Sequence, residues 1–141
     1  MSDIKIRKAK ISDTESVRLL LAQLGYELPI SKLDEALAST QRNDDIVVCT
    51  QNGEVLGVMS LIYFDYFPSL QRICRITAIV VDESARGSGI GTRLITFAQK
   101  SAQENACQVL EVTTSLIRES TQKYYESIGF EKSSYRYFQK L

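Results

Sequence analysis

Residues 80–99, VVDESARGSGIGTRLITFAQ, place three glycines at every second position between an apolar segment and an amphipathic one. The segment before them, RICRITAIVV (residues 72–81), has the β-branched composition of a strand whose end is buried on both faces. From Thr92 onwards, apolar residues recur at helical spacing, and QVLEVTT (residues 108–114) is the next strand. Because crossovers between such strands are right-handed, the stretch predicts a βαβ unit with two parallel strands.

The segments before the glycines predict further strands and two helices. IKIRKA (residues 4–9) alternates as a half-buried strand does, and Ser12 and Ser31 are positioned as N-caps of two short helices, each with an acidic residue three positions on. Gly25 is placed to end the first helix. DIVVCTQNGEVLGVMSLIYF (residues 45–64) contains Asn-Gly between two β-rich runs, which predicts a hairpin.

The C-terminal part predicts one more helix and a closing β segment. RESTQKYYESIG (residues 118–129) reads as a helix ended by Gly129, and FEKSSYRYFQKL (residues 130–141) as the β segment. The whole pattern predicts an α/β (α+β) domain, with a mixed sheet and helices on both faces. The 141 residues, 44% of them hydrophobic, favour a single domain over residues 1–141.

Composition excludes several classes of function. The formal net charge is zero, so we expect no nucleic-acid partner and no binding to acidic membranes. No apolar stretch approaches the length of a membrane span, and the chain is expected to be cytoplasmic. The chain has no histidine, and its three cysteines form no CxxC pair, so we expect neither a metal site, a disulfide framework nor a His-based triad.

The glycine turn has two interpretations. It can simply reverse the chain between strand and helix, or it can let a ligand approach the backbone while the free amides of the first helical turn attract a phosphate. GSGIGT (residues 87–92) lacks the lysine of a P-loop and the G-x-G-x-x-G spacing of a dinucleotide site. A phosphate ligand of another kind is therefore favoured.

Two motifs resemble the GNAT superfamily of N-acetyltransferases. RGSGIG (residues 86–91) is similar to that family's [RQ]-x-x-G-x-[GA] turn after the fourth strand, and YYESIGF (residues 124–130) to the end of its last helix. The resemblance covers the whole chain. It implies a GNAT fold, with a mostly antiparallel sheet of six to seven strands in which two central parallel strands splay apart.

The resemblance also implies the acyl donor and its site. Acetyl-CoA would lie in the splay, with its pantetheine arm along strand four and its pyrophosphate on the glycine turn. An asparagine that often contacts pantetheine in the family is replaced here by Arg118, and Ser115 could take over that contact. The implied cofactor-binding residues are Ile79, Val80, Val81, Arg86, Gly87, Ser88, Gly89, Ile90, Gly91, Thr92, Ser115 and Arg118.

The motif position of Tyr125 implies a general acid that protonates the leaving thiolate, although packing within its helix is the alternative. The glutamate that several family members place on strand four is replaced here by Thr77. The general base therefore stays open between Glu111, Asp65 and Tyr63.

The acceptor is expected to be a small primary amine, because the segments that build the family's acceptor site contain Tyr26, Tyr63 and Tyr66, whose aromatic faces attract ammonium. The C-terminal half is similar to the aminoalkylphosphonate N-acetyltransferase branch. An anionic group of the acceptor could then meet Arg72, Arg75 or Arg136. A protein or peptide acetyltransferase and a non-catalytic acyl-CoA sensor stay open as alternatives, and a homodimer is expected from the family.

Overall fold

The computed structural model describes residues 3–113, 119–133 and 136–141, and these contain a five-stranded sheet in the order β1-β2-β3-β4-β5. Three neighbouring pairs are antiparallel, and β4 and β5 are parallel, so the predicted mixed, mostly antiparallel sheet is confirmed. The strands are β1 (Ile4–Lys8), β2 (Asp44–Gln51), β3 (Glu54–Tyr66), β4 (Gln71–Val81) and β5 (Val109–Val112).

The predicted count of six to seven strands was too high for the described part of the chain. Residues 130–133 and 136–141, predicted as a closing β segment, form no strand there, and Tyr137 and Phe138 are exposed. Their alternating aromatic pattern therefore does not lead to pairing with the edge strands β1 or β5 in the described structure.

Helices cover both faces of the sheet, as predicted. They are α1 (Thr14–Gln23), α2 (Ile30–Ala38), α3 (Ile90–Glu104) and α4 (Glu119–Ser127). One core cluster joins α1 and α2 to the sheet through Val17, Leu20 and Leu33. A larger cluster on the opposite face, called the α3 face here, includes Leu94 of α3 and Tyr125 of α4. Among the described residues, no helix has the length and apolar character needed to cross a membrane.

The helix ends were predicted better than the helix starts. Gly25 (φ +104°) follows α1, and Asn52 and Gly53 have φ of 52° and 84°, the left-handed pair that a tight hairpin needs. Both predicted N-caps were wrong. Ser12 lies inside a 3₁₀ turn that precedes α1, and Ser31 is the second residue of α2, which starts after Pro29.

The fork in the sheet is the feature that positions the candidate site. β4 pairs with β5 only from Ile73 to Ile76, and the described residues give β4 no partner on that side after Ile76. A bulge at Thr77, between the pairs Leu61↔Ile76 and Ser60↔Ala78, interrupts the ladder at the same point. We call the point where the strands part, at Ile76 and Val112, the fork.

Candidate active site

The glycine turn follows β4 after a short 3₁₀ turn at Glu83–Ala85. Gly87 and Gly89 have φ of +82° and +88°, a left-handed conformation that side chains rarely adopt, and α3 starts at Ile90. Chain reversal therefore accounts for two of the three glycines.

Gly91 has no such explanation within the protein. Its φ is not positive, and a Cβ added there would come no closer than 3.7 Å to a described atom outside its chain neighbours, the hydroxyl of Tyr124. Alanine would also favour the helix over glycine by about 0.5–1 kcal/mol in a helix interior. A glycine at this position is what the close approach of a ligand to the backbone requires.

The amides of this first helical turn are available to an anion. Those of Ile90, Gly91 and Thr92 donate to no described acceptor, as expected for the start of a helix. The side chain of Arg86 is exposed beside them, and the hydroxyl of Ser88 is turned back to the carbonyl of Ala85. Free amides and the positive end of the helix dipole favour an anion such as phosphate at this turn.

Helix α1 holds the entrance to this turn in place. The Gln23 carboxamide donates to Asp82 Oδ1 (2.8 Å) and accepts from the Glu83 amide (3.1 Å). Asp82 in turn accepts from the Ser84 amide at 3.0 Å. Sequence reasoning missed Gln23, because its partners lie about 60 positions further along the chain.

The edge of β4 beyond the fork presents backbone groups to the gap. The Asp82 amide donates to the carbonyl of Leu56 on β3 (2.8 Å). Because the backbone N–H and C=O groups of successive residues alternate in direction along an antiparallel pair, those of Val80 also point to β3. Those of Ile79 and Val81 therefore point away from β3, towards the open side. The side chain of Val80 packs under α1 and α2.

A helix-capping motif positions Tyr125. The Phe130 amide donates to the Tyr125 carbonyl (3.0 Å) and the Gly129 amide to the Glu126 carbonyl (3.2 Å), with Gly129 at φ +104°. This is a Schellman motif, and its usual apolar contact is supplied by the rings of Tyr125 and Phe130, whose centroids are 5.6 Å apart. The spacing Y-x-x-x-G-F thus has a local structural reason, and it leaves Tyr125 7% exposed in the α3-face core.

Tyr124 lies beside the glycine turn. Its hydroxyl is 3.1 Å from Thr92 Oγ1, at the start of α3. Sequence reasoning missed this contact, because it joins residues 32 positions apart. The pair links the helix that carries Tyr125 to the glycine turn.

Two of the three candidate bases lie away from the fork. Tyr63 packs against the α3-face core, where burial and the negative charge of Asp45 raise the pKa of its phenol to about 12. Asp65 is exposed at the end of the β3–β4 hairpin and pairs with Arg72 at 3.2 Å. Neither arrangement favours proton removal from an amine at the fork.

Glu111 lies at the fork, directly opposite Arg75 in the parallel register. The Arg75 Nε donates to Glu111 Oε1, and the guanidinium lies over the Phe64 ring at 4.8 Å from its centroid. Thr77 is next to this pair along β4, but its hydroxyl lies 2.5 Å from Ser60 Oγ, across the bulge.

The remaining candidates are dispersed or outside the described residues. Tyr26 is exposed in the loop after α1 and Tyr66 at the end of β3, and Arg136 stacks on Phe138 in the C-terminal segment. Ser115 and Arg118 lie outside the described residues.

Comparisons with known proteins agree with this arrangement. The family described as "Acetyltransferase (GNAT) domain" matches residues 42–132, a range that contains both the glycine turn and Tyr125. Aminoalkylphosphonate N-acetyltransferase of Salmonella typhimurium is 26% identical over 140 residues, which cover 97% of this chain and 91% of the relative. Glucosamine 6-phosphate N-acetyltransferase of Trypanosoma brucei brucei is 31% identical over 134 residues, which cover 91% and 89%.

Similarity to solved structures extends over the whole fold. A transcriptional regulator from Bacillus halodurans C-125 superposes with a TM-score of 0.87 at 24% identity, over 99% of this chain and 100% of that one. At this level of identity the superposition shows a shared fold.

Proposed function

This chain belongs to the GNAT acetyltransferases, acetyl-CoA-dependent acyltransferases, and on that premise we propose that it transfers the acetyl group directly to the primary amine of a small molecule. The observation that carries the proposal is the fork. Within the described residues, the unpaired edge of β4 leads from the Arg75–Glu111 pair towards the free amides of the glycine turn. In the proposed reaction the amine itself attacks the thioester, without a covalent enzyme intermediate.

The described residues fit acetyl-CoA. Gly91 leaves space for a close approach to the backbone, and the amides of Ile90, Gly91 and Thr92 would hold the pyrophosphate. The arm of coenzyme A between pyrophosphate and sulfur matches about four extended residues in length, ~14 Å. Residues 77–81 of β4 span about 16 Å at about 3.3 Å per residue. The length of this edge supports placing the thioester near the fork.

The chemistry requires proton transfers at both nitrogen and sulfur. When bound, acetyl-CoA would supply an activated acyl group: a C–N bond forms and the C–S bond breaks. An acceptor that binds as ammonium gives up two protons in all, one of them before attack; the sulfur takes the equivalent of one and solvent the other. Tyr125, buried at the α3 face and tied to the phosphate site through its neighbour Tyr124, is the proposed donor of the sulfur's proton. The backbone N–H of Ile79 or Val81 is the proposed donor to the carbonyl oxygen as it gains negative charge.

Glu111 is the proposed acceptor of the amine's proton. An unperturbed alkylamine has a pKa of about 10.4 and arrives largely protonated at neutral pH, so a carboxylate beside the reacting carbon is needed. Of the three candidate bases, Glu111 alone lies at the fork.

A small acceptor is supported by two relatives. Aminoalkylphosphonate and glucosamine 6-phosphate, named as the substrates of the two enzymes above, are both small primary amines that also carry a phosphorus-containing anion. The chain matches each of these relatives over about nine-tenths of its length or more. We therefore also propose one N-acetyltransferase domain over residues 1–141.

The proposal is tested by following thiol release from acetyl-CoA with a panel of aminoalkylphosphonates, amino sugars, simple amines and peptides. We expect turnover with a class of small amines, and a product heavier by one acetyl group in mass spectrometry. Turnover with peptides alone would replace the small acceptor by a protein one. Tight acetyl-CoA binding without turnover would instead favour a sensor.

A further inference from the structure

We propose that Arg75 and Glu111 together form the recognition site for the acceptor, and that this site selects a short zwitterion: a primary amine one or two carbons from a phosphonate or carboxylate group. The inference rests on the proposed function and adds the substrate class and the residues that select it. Glu111 would hold the ammonium group and Arg75 the anion.

The contacts of the pair leave binding capacity on both members. Arg75 uses Nε for Glu111 Oε1, and no other described residue accepts a hydrogen bond from its terminal nitrogens. The second oxygen of Glu111 likewise has no described donor. The guanidinium stacks on the Phe64 ring, which fixes the plane of its N–H donors. This orientation suits bidentate binding of an oxyanion.

The exposure of the pair makes it accessible to a ligand. The Arg75 side chain is 40% exposed and that of Glu111 32%. An ion pair exposed to this degree contributes little to stability, so a ligand of opposite polarity can insert between the two groups at small cost.

The pair also lies on the correct face for the reaction. Before the bulge, Cys74 and Ile76 point to the α3 face that contains Tyr125, so Arg75 between them points to the opposite face. Glu111 alternates in the same way between Leu110 and Val112, which pack against the α3-face core. An amine held by Glu111 would approach the thioester from the face opposite the proposed acid.

The adjacency of the two charges sets the length of the acceptor. Arg75 and Glu111 are in direct contact. The free donors of Arg75 and the free oxygen of Glu111 can therefore bind the anion and the ammonium group of one ligand when these two groups lie close together. A one- or two-carbon spacer satisfies this condition. The amine and phosphate of glucosamine 6-phosphate are separated by many more bonds and do not.

The test compares kcat/KM for four acceptors: aminoethylphosphonate, an α- or β-amino acid, glucosamine 6-phosphate and butylamine. We expect one of the two short zwitterions to be the best substrate, and which of them it is identifies the anion. Arg75→Gln should lower kcat/KM for that substrate about 10- to 100-fold, and by a clearly smaller factor for butylamine, which has no anion for Arg75 to bind. Arg42→Gln, which removes the exposed arginine of another ion pair, with Asp44 at 2.7 Å, is the control and should change neither.

The double variant Arg75→Glu/Glu111→Arg separates recognition from structure. It keeps an ion pair but reverses its polarity, so the zwitterion should be a poor substrate although the melting temperature stays at the wild-type value. Recovery of wild-type kcat/KM in this variant would overturn the proposal, as would equal turnover of butylamine and the zwitterions, or a preference for glucosamine 6-phosphate. Acetylation of butylamine without discrimination would leave the proposed function intact, whereas failure with every amine would remove both.

Discussion

The two faces of the sheet differ at the fork. On the α3 face, helices α3 and α4 form one core with β4, and this core includes both Cys74 and Tyr125. The glycine turn lies at the start of α3. On the opposite face, the cluster under α1 and α2 includes Val80 of β4 but no described residue of its first half. There Arg75 and Glu111 are partly exposed.

This difference suggests a division of tasks. The covered face can hold the acyl donor and a buried acid rigidly, whereas the open face can exchange acceptors and products with solvent. The bulge at Thr77 makes the division possible, because it changes which residues of β4 point to each face. The following variants test each side in turn, in order of decreasing effect on catalysis.

Removing the proposed acid should have the largest effect. Tyr125→Phe keeps the ring that packs on Phe130 and loses the proton donor, so kcat should fall about 10²- to 10⁴-fold with little change in acetyl-CoA affinity. Steady-state kinetics and calorimetry measure the two quantities. Tyr137→Phe, at a tyrosine 91% exposed in the C-terminal segment, is the control. A Tyr125→Phe enzyme with wild-type kcat would assign this residue to packing alone.

A methyl group at the glycine turn should separate stability from binding. Gly91→Ala is predicted to raise the free energy of unfolding by up to about 0.5–1 kcal/mol, because alanine favours the helix. Its Cβ should also weaken acetyl-CoA binding about tenfold, or about 1.4 kcal/mol. Thermal melts and calorimetry give the two numbers. Unchanged affinity would show that the ligand does not approach this backbone.

Removing the hydrogen bonds between α1 and the segment before the glycine turn should have a smaller effect on catalysis. Gln23→Leu removes both hydrogen bonds from α1 to residues 82 and 83, and it should raise KM for acetyl-CoA about three- to tenfold while kcat stays within about twofold. Gln99→Leu, on the exposed side of α3, is the matched control. If both variants behave alike, the carboxamide does not position the turn.

A buried carboxylate far from the fork should affect stability without affecting catalysis. Two bonds from Arg7, 2.7 and 2.9 Å long, hold the pKa of Asp13 below its usual value. Because the folded-state pKa is lower than the unfolded one, the carboxylate stabilises the fold at neutral pH, and this stabilisation is lost as pH falls through the folded-state pKa. Asp13→Asn should lower the free energy of unfolding by about 1–2 kcal/mol at pH 7, with a smaller difference below about pH 4, as measured by denaturant titration.

Local signals predicted the fold well. The Asn52–Gly53 hairpin and the helix end at Gly129 follow from residues adjacent in sequence, and the glycine turn and its helix were predicted within two residues. The capping serines failed because Asp13 accepts the Lys10 amide (2.9 Å) at the turn before α1, so Ser12 was not needed there.

The candidate site was predictable only in part. The glycine turn and Tyr125 could be recognised because each belongs to a sequence motif, and their functional roles stay predictions. The pairing of Arg75 with Glu111 depends on the register of two parallel strands whose residues are 36 positions apart, and the contact of Tyr124 with Thr92 on the docking of two helices. Neither follows from a local pattern.

The most direct test of the division between the two faces is an NMR titration of ¹⁵N-labelled protein, first with coenzyme A, which cannot acetylate the acceptor, and then with the best acceptor from the turnover panel. We expect coenzyme A to shift the amides of Ile90, Gly91 and Thr92, and the acceptor to shift the Arg75 Nε resonance without displacing coenzyme A. Shifts by coenzyme A that leave the glycine turn unaffected would contradict the proposed donor site.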